Sequence, residues 1–263
     1  MAMLDPLQYL LGALSGSLVG FSLGLFGGGG SILAVPLMIY LVGVPVAHVA
    51  IGTSALAVAV NAGASLVSHA WRGTVIWRCA LMFSVAGIVA AMLGSTLGKA
   101  LDGQKLLFLF ALLMVFVGVR MLKGRLKEGT PGAHCDRENA PKVLAAGGAT
   151  GLFSGFFGIG GGFLIVPGLI ASTGMPILNA IGTSLVAVTA FGLTTAANYA
   201  FSGLVDWPLA AVFIVGGVEG SILGSMAAHR LSTRKGALNT GFALLVFAVA
   251  GYMLWRSAQS LMG

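Results

Sequence analysis

Two long stretches of this chain carry no charged side chain: one between Asp5 and Arg72, the other between Lys142 and Asp206. Each holds enough apolar residues for two or more bilayer crossings at roughly 20 residues apiece. Of the 263 residues, 57% are hydrophobic and 8% charged, with a mean hydropathy of +1.00. A soluble domain carries about a quarter charged residues, and a soluble fold of this size could not cover its surface with so few. The expected fold is an all-α polytopic membrane protein, and a soluble binding module is excluded. Met1 to Leu14 lacks a basic amino end and the hydrophobicity continues far beyond it, so a cleaved signal peptide is not expected.

The net charge is +7, yet the basic residues form no nucleic-acid patch. They sit in short connections between apolar runs, as positive charge does in cytoplasmic loops. The one clearly polar stretch runs from Lys123 to Lys142, rich in Gly, Pro and mixed charge, and reads as a solvated cytoplasmic linker. It divides the chain into a first membrane repeat (1–123), the linker (124–141) and a second repeat (142–263). Cys79 and Cys135 have no partner at metal-ligand spacing, and His134–Cys135 reads as solvated loop rather than half a metal site. The cysteines say little about redox compartment. No cofactor or metal is implied. A homo-oligomer is allowed but nothing points to one.

The halves resemble each other. GLFGGGGSILAVP (Gly24 to Pro36) is echoed by GFFGIGGGFLIVP (Gly155 to Pro167). Pro45 then matches Pro176, Gly52-Thr53-Ser54 matches Gly182-Thr183-Ser184, Gly73 and Trp77 match Gly203 and Trp207, and Leu93-Gly94-Ser95 matches Leu223-Gly224-Ser225. Gly27 to Gly158 is 131 positions and Gly52 to Gly182 is 130, so one residue is lost between the second proline and the triplet. So many ordered matches do not arise by chance; they mark an internal repeat. Each half has five apolar segments: 8–26, 31–43, 47–70, 76–98 and 104–122, then 143–157, 162–174, 178–201, 208–229 and 236–256. The first two of each set are short and separated by glycines, as in a helical hairpin or a pair of half-helices. The other three are spanning helices.

Counting Lys and Arg favours an inverted second half. With inversion, eleven basic residues share the linker's face: Arg72, Arg78, Arg120, Lys123, Arg125, Lys127, Arg137, Lys142, Arg230, Arg234 and Lys235. Three (Lys99, Lys105 and Arg256) lie opposite; with parallel halves the split is nine to five. The positive-inside rule then places the linker in the cytoplasm and both termini outside.

The glycine runs invite a dinucleotide reading, but that motif needs alternating strand and helix and a downstream acid, and the flanks here are unbroken apolar sequence. Gly12, Gly16 and Gly20, spaced by four, fit close helix packing. Gly27-Gly28-Gly29-Gly30 does not, because four successive glycines lie on every side of a helix and break it. Such a break at membrane depth exposes N–H and C=O groups that lipid cannot satisfy, so it either lines a cavity, touches a ligand or is tied down structurally. One break from each half would bring free N–H groups and helix N-termini together near a pseudo-twofold axis, an anion site that needs no cationic side chain. The candidate binding residues are therefore Gly27, Gly28, Gly29, Gly30 and Ser31, with Gly158, Gly160, Gly161 and Gly162.

Thr53 and Ser54, and Thr183 and Ser184, stand near helix starts. They read equally as ligand-facing donors with free amides or as helix N-terminal capping residues. Deeper in the same helices lie Asn61 and Ser65, and Thr194, Thr195 and Asn198; Asn61 and Asn198 join the binding candidates, although such residues commonly just bond to neighbouring helices. His48 and His69 read as interfacial. Glu219, halfway along a span, has Val89 as its counterpart. An acid at that depth is costly, and either couples proton movement to transport or hydrogen-bonds across the bundle.

The paired motifs GLFGGGGSILAVP…P…GTS and GFFGIGGGFLIVP…P…GTS resemble those of the TauE/SafE family, the sulfite exporter group, over nearly the whole chain from about Gly16 to Trp255. The resemblance implies a multi-pass transporter of the bacterial or archaeal cytoplasmic membrane, handling a small sulfur-containing anion such as sulfite, sulfoacetate or another organosulfonate. It points again to the glycine runs and the two GTS triplets. Ile159 departs from the pattern where the first run has Gly28. Alternating access by a secondary transporter is the leading expectation; an uncoupled anion channel or a carrier of non-sulfur carboxylates stays open. The chain has no HExxH, GxSxG, Cys-x-x-Cys or paired carboxylates, so no enzyme is expected.

Overall fold

A hydrocarbon solvent leaves a chain of this composition one choice, to satisfy its backbone hydrogen bonds within helices. The computed structural model describes residues 5–123, 135–158, 162–231 and 237–262; it is 87% helix, with no strand among the described residues. Helix α1 is Pro6–Phe26, followed by a 3₁₀ turn (Gly27–Leu33), the short α2 (Ala34–Pro36) and a π turn (Leu37–Leu41). Then come α3 (Ala47–Trp71), α4 (Trp77–Ala100), α5 (Gly103–Lys123), α6 (Ala140–Phe157), α7 (Gly162–Thr173), α8 (Ile177–Ala200), α9 (Trp207–Leu231) and α10 (Ala237–Met262). Among the described residues, five stretches are long and apolar enough to cross a membrane: 6–41, 47–71, 77–100, 177–200 and 207–228.

Local chemistry sets the boundaries. Pro6 opens α1 and the Asp5 N–H donates to Gln8 Oε1 at 2.9 Å, satisfying a group that a helix start leaves unpaired. Gly27 (φ 63°) ends α1 and Gly158 (φ 66°) ends α6, a conformation that costs a side chain but not glycine. The first glycine-flanked pair is a hairpin: Gln8 Nε2 donates to the Val42 carbonyl at 3.0 Å, bringing the return segment's end back beside the start of α1. The first arm is not short, however. At 21 residues, α1 is about 32 Å long, enough to cross; the return arm is what is broken into three kinds of turn.

The sequence halves interlock. Gly16, Gly20 and Gly24 of α1 lie against Phe213, Gly217 and Ser221 of α9, so closely that a Cβ would overlap the α9 backbone. Gly147, Gly151 and Gly155 of α6 lie in the same way against Phe83, Gly87 and Ala91 of α4. Removing side chains lets helix backbones touch, which is the main source of attraction where lipid cancels the hydrophobic effect. In both pairs residue numbers rise together, so the helices run parallel. Helix α3 also runs along α9: Thr53 Oγ1 accepts the Asp206 N–H at 2.9 Å and Ser68 meets Ser225 at 3.3 Å. Helix α8 runs along α4: Thr183 Oγ1 accepts the Ile76 N–H at 3.0 Å and Asn198 Nδ2 donates to Ser95 Oγ at 2.6 Å. The result is two three-helix bundles, α1–α3–α9 and α6–α8–α4, each built from both halves. Between them α3 and α8 cross antiparallel, with Gly52 on Tyr199 and Gly63 on Thr189.

One expectation is corrected here. Cys79 and Cys135 form a disulfide, 56 positions apart, and both are fully buried. Cys135 is therefore no part of a solvated loop; His134 lies outside the described residues. Local spacing cannot reveal a pair separated by a whole helix and a linker. The bond joins the start of α4 to the approach to α6.

Candidate functional site

The two glycine tips are seated reciprocally. Gly27 packs on Ile181 of α8, and the Gly28 N–H donates to Ser184 Oγ at 3.1 Å. Ser184 Oγ itself donates to the Ile181 carbonyl at 2.7 Å, and Ser31 Oγ donates to the Gly28 carbonyl at 2.9 Å. Gly27, Gly28, Gly29, Gly30 and Ser31 are all buried. On the other side Gly158 packs on Ile51 of α3, where Ser54 Oγ donates to the Ile51 carbonyl at 3.0 Å. Gly160 and Gly161 lie outside the described residues, and Gly162 opens α7.

These contacts overturn one expectation about place. The tips do not meet at mid-membrane. Ile51 and Ile181 each lie in the second turn of their helices, α3 and α8, and those helices are antiparallel. With Gly52 beside Tyr199 and Gly63 near Thr189, Ile181 is level with the end of α3, so the tips are roughly 28 Å apart along the axis. It is the return arms, the 3₁₀ turn and α7, that pass one another between them.

The GTS hydroxyls have defined partners. Thr53 and Thr183 lie beyond the first four residues of α3 and α8, so their amides are inside the helical ladder rather than free. Their hydroxyls instead accept the N–H groups that lead into α9 and α4. Gly52 and Gly182 admit Leu204 and Thr74 at equivalent places. Repeat equivalence thus holds down to single hydrogen bonds.

Asn61 and Asn198 part company. Asn198 is fully engaged: Nδ2 donates to Ser95 at 2.6 Å and Thr96 at 3.0 Å, while Oδ1 accepts Lys99 Nζ at 2.8 Å. Lys99 also donates to the Asn198 carbonyl and Ser202, and its ammonium lies 5.8 Å from the Tyr199 ring. A cation at the C-terminal end of α8 is well placed against the helix dipole. Asn61, in contrast, is 0% exposed, lies over Gly217, and neither of its side-chain atoms has a partner. His48 Nε2 contacts the Leu101 carbonyl and His69 Nδ1 contacts Thr74 Oγ1, each at 3.0 Å. Glu219 is exposed on the outward face of α9, in line with Val215, Ile222 and Met226. It makes no hydrogen bond across the bundle to any described residue, which corrects that half of its expectation. Among the described residues no three His, Cys, Asp or Glu converge on a metal-sized site. Sequence reasoning missed Ile51, Ile181 and Lys99; the two isoleucines were findable, since they are repeat equivalents one residue before each GTS motif.

The model of the family described as sulfite exporter TauE/SafE matches residues 12–253. A probable membrane transporter protein of Xylella fastidiosa (strain Temecula1) is 54% identical over 253 residues, 94% of this chain and 95% of that one. Another of the same description from Haemophilus influenzae is 29% identical, covering 92% and 96%, and one from Methanocaldococcus jannaschii is 27% identical, covering 83% and 86%. No solved structure matches the chain.

Proposed function

The chain belongs to the sulfite exporter TauE/SafE family and is a multi-pass membrane transporter, from which we propose that it moves a small sulfur-containing anion (sulfite, sulfoacetate or another organosulfonate) by alternating access between inverted halves. The observation that carries the proposal is the reciprocal seating of the tips, Gly27 and Gly28 on α8 and Gly158 on α3. Each tip belongs to one bundle and rests on the other. Rocking the bundles about the α3–α8 seam unseats one tip while the other holds, opening one face at a time. Inversion is supported by direction: α1 and α3 run with α9, their equivalents α6 and α8 run with α4, and α3 opposes α8. The Gly28 amide, held by a hydroxyl and not by the helix ladder, is a donor an anion can borrow on passage. The binding residues at the tips are Gly27 to Gly30, Ser31, Ser184, Gly158 and Gly160 to Gly162. The outward position of Glu219 lends no support to a proton path through the bundles.

The eleven basic residues that inversion puts on the linker's side favour a cytoplasmic linker in a bacterial or archaeal cell. A disulfide belongs to oxidising compartments, so the Cys79–Cys135 bond stands against that orientation. Denaturing alkylation of membranes, with and without prior reduction, decides this. Labelling that needs no reductant supports a cytoplasmic linker, and labelling only after reduction reverses the topology. For substrate, purified protein is melted with sulfite, sulfate, thiosulfate, sulfoacetate, taurine and simple carboxylates. A ligand of the folded state raises the apparent melting temperature by mass action; a shift with carboxylates alone defeats the sulfur assignment.

A further inference from the structure

The two bundles are equivalent in backbone but not in polarity. In α1–α3–α9, buried positions hold Ser15, Asn61, Ser65 and Ser221; their equivalents in α6–α8–α4 are Ala146, Phe191, Thr195 and Ala91. Phe191 covers Gly87 as Asn61 covers Gly217, and stacks on Phe83 at 6.3 Å. One bundle is therefore filled with an aromatic ring where the other has a carboxamide. The Asn61 Oδ1 and Nδ2, Ser65 Oγ and Ser15 Oγ are buried without partners; the other bundle also holds unpartnered hydroxyls, on Ser84, Ser154 and Thr195, but no carboxamide. A buried polar group left unpaired costs about 1–3 kcal/mol, so this set is unfavourable unless something binds there.

We propose that Asn61, Ser65 and Ser221 form a site for a monovalent cation, sodium, inside the α1–α3–α9 bundle between its middle and the last turn of α1. Three observations converge. First, Asn61, Ser65 and Ser68 follow at four and three positions on one side of α3, facing α9: Asn61 lies on Gly217, its carbonyl receives Ser221 Oγ at 3.4 Å, and Ser68 meets Ser225. Second, the oxygens are all neutral, and among the described residues no Asp or Glu is buried. Calcium is held largely by carboxylates and magnesium keeps waters, whereas amide, hydroxyl and carbonyl oxygens suit a monovalent ion. Third, Gly24 packs on Ser221 and Ser225, which puts Ser65 at the depth of the last turn of α1. The end of a helix dipole there is negative; it attracts a cation and repels an anion. The assignment of Asn61 oxygen and nitrogen can be exchanged by a flip of the amide, so either orientation leaves one acceptor for the ion. Resting on the transporter assignment, this ion is the co-transported charge that offsets the anion's own; the site itself does not depend on which anion is carried.

The test melts purified protein without any anionic substrate, in sodium, potassium or choline chloride at constant chloride. Sodium is expected to raise the apparent melting temperature in a saturable way, with choline inert. Ser65→Ala, a loss of one oxygen, is expected to raise the half-saturating sodium concentration about tenfold, while Thr195→Ala in the other bundle leaves it unchanged. Equal melting in all three salts overturns the site, as does an equal loss in Thr195→Ala. The wild-type comparison stands even if a variant does not fold. Because anions are absent, failure here is separate from failure of the substrate assignment, which the anion panel reads.

Discussion

The α1–α3–α9 and α6–α8–α4 bundles share a backbone design and differ in what fills it. Both are held by glycine contacts between parallel helices and both are tied by a threonine to the approach of the third helix. Yet one buries Phe191 and the other Asn61 at the same position. Such a difference between two copies of one structure separates what the fold requires from what one copy alone does. The glycines and the threonines are required by both; the carboxamide is not.

The comparison breaks first at the glycines. Gly20→Leu and Gly151→Leu force a side chain into a neighbouring backbone, and overpacking of this kind costs at least about 3 kcal/mol. Both are expected to abolish a monodisperse peak in size-exclusion chromatography to the same degree; a large difference between them would deny that the bundles are equivalent. Next comes the shared aromatic position. Phe191→Ala opens a cavity and is expected to cost about 3–5 kcal/mol, whereas Asn61→Leu removes unpaired groups and gains about 1–3 kcal/mol in choline. Thermal melts in choline chloride check the opposite signs. Asn198→Ala releases Lys99 and Ser95 and is expected to lose about 1–3 kcal/mol, read as a lowered melting temperature. Thr53→Val and Thr183→Val each remove one bond to a helix approach, for about 1 kcal/mol apiece, and the two shifts should agree. Smallest of all is Glu219→Gln. On an outward face with no partner among the described residues, it is expected to leave the pH dependence of uptake in proteoliposomes unaltered; a lost dependence would restore Glu219 as a coupling residue.

Much of this was legible from residues in order. Hydropathy required helices, because a bilayer accepts no other open backbone. The repeat offset paired Gly27 with Gly158 and Thr53 with Thr183. The glycine spacing of four in α1 announced a close-packed face. All of these are periodic or compositional signals, carried by the chain one residue at a time.

What the tertiary structure decided was which helix each signal meets. Nothing in the order of residues says that α1 packs on α9 from the other half, because helix partners in lipid are chosen by shape at contact and not by burial. The same limit hid the seat of each tip on Ile51 and Ile181, the pairing of Cys79 with Cys135, and the outward turn of Glu219. It also hid the contrast between Asn198, whose groups are all taken, and Asn61, whose groups are not. Both asparagines read alike in the sequence. Their difference lies in the neighbouring helix, where Ser95 and Lys99 stand beside one and the bare backbone of Gly217 lies beneath the other.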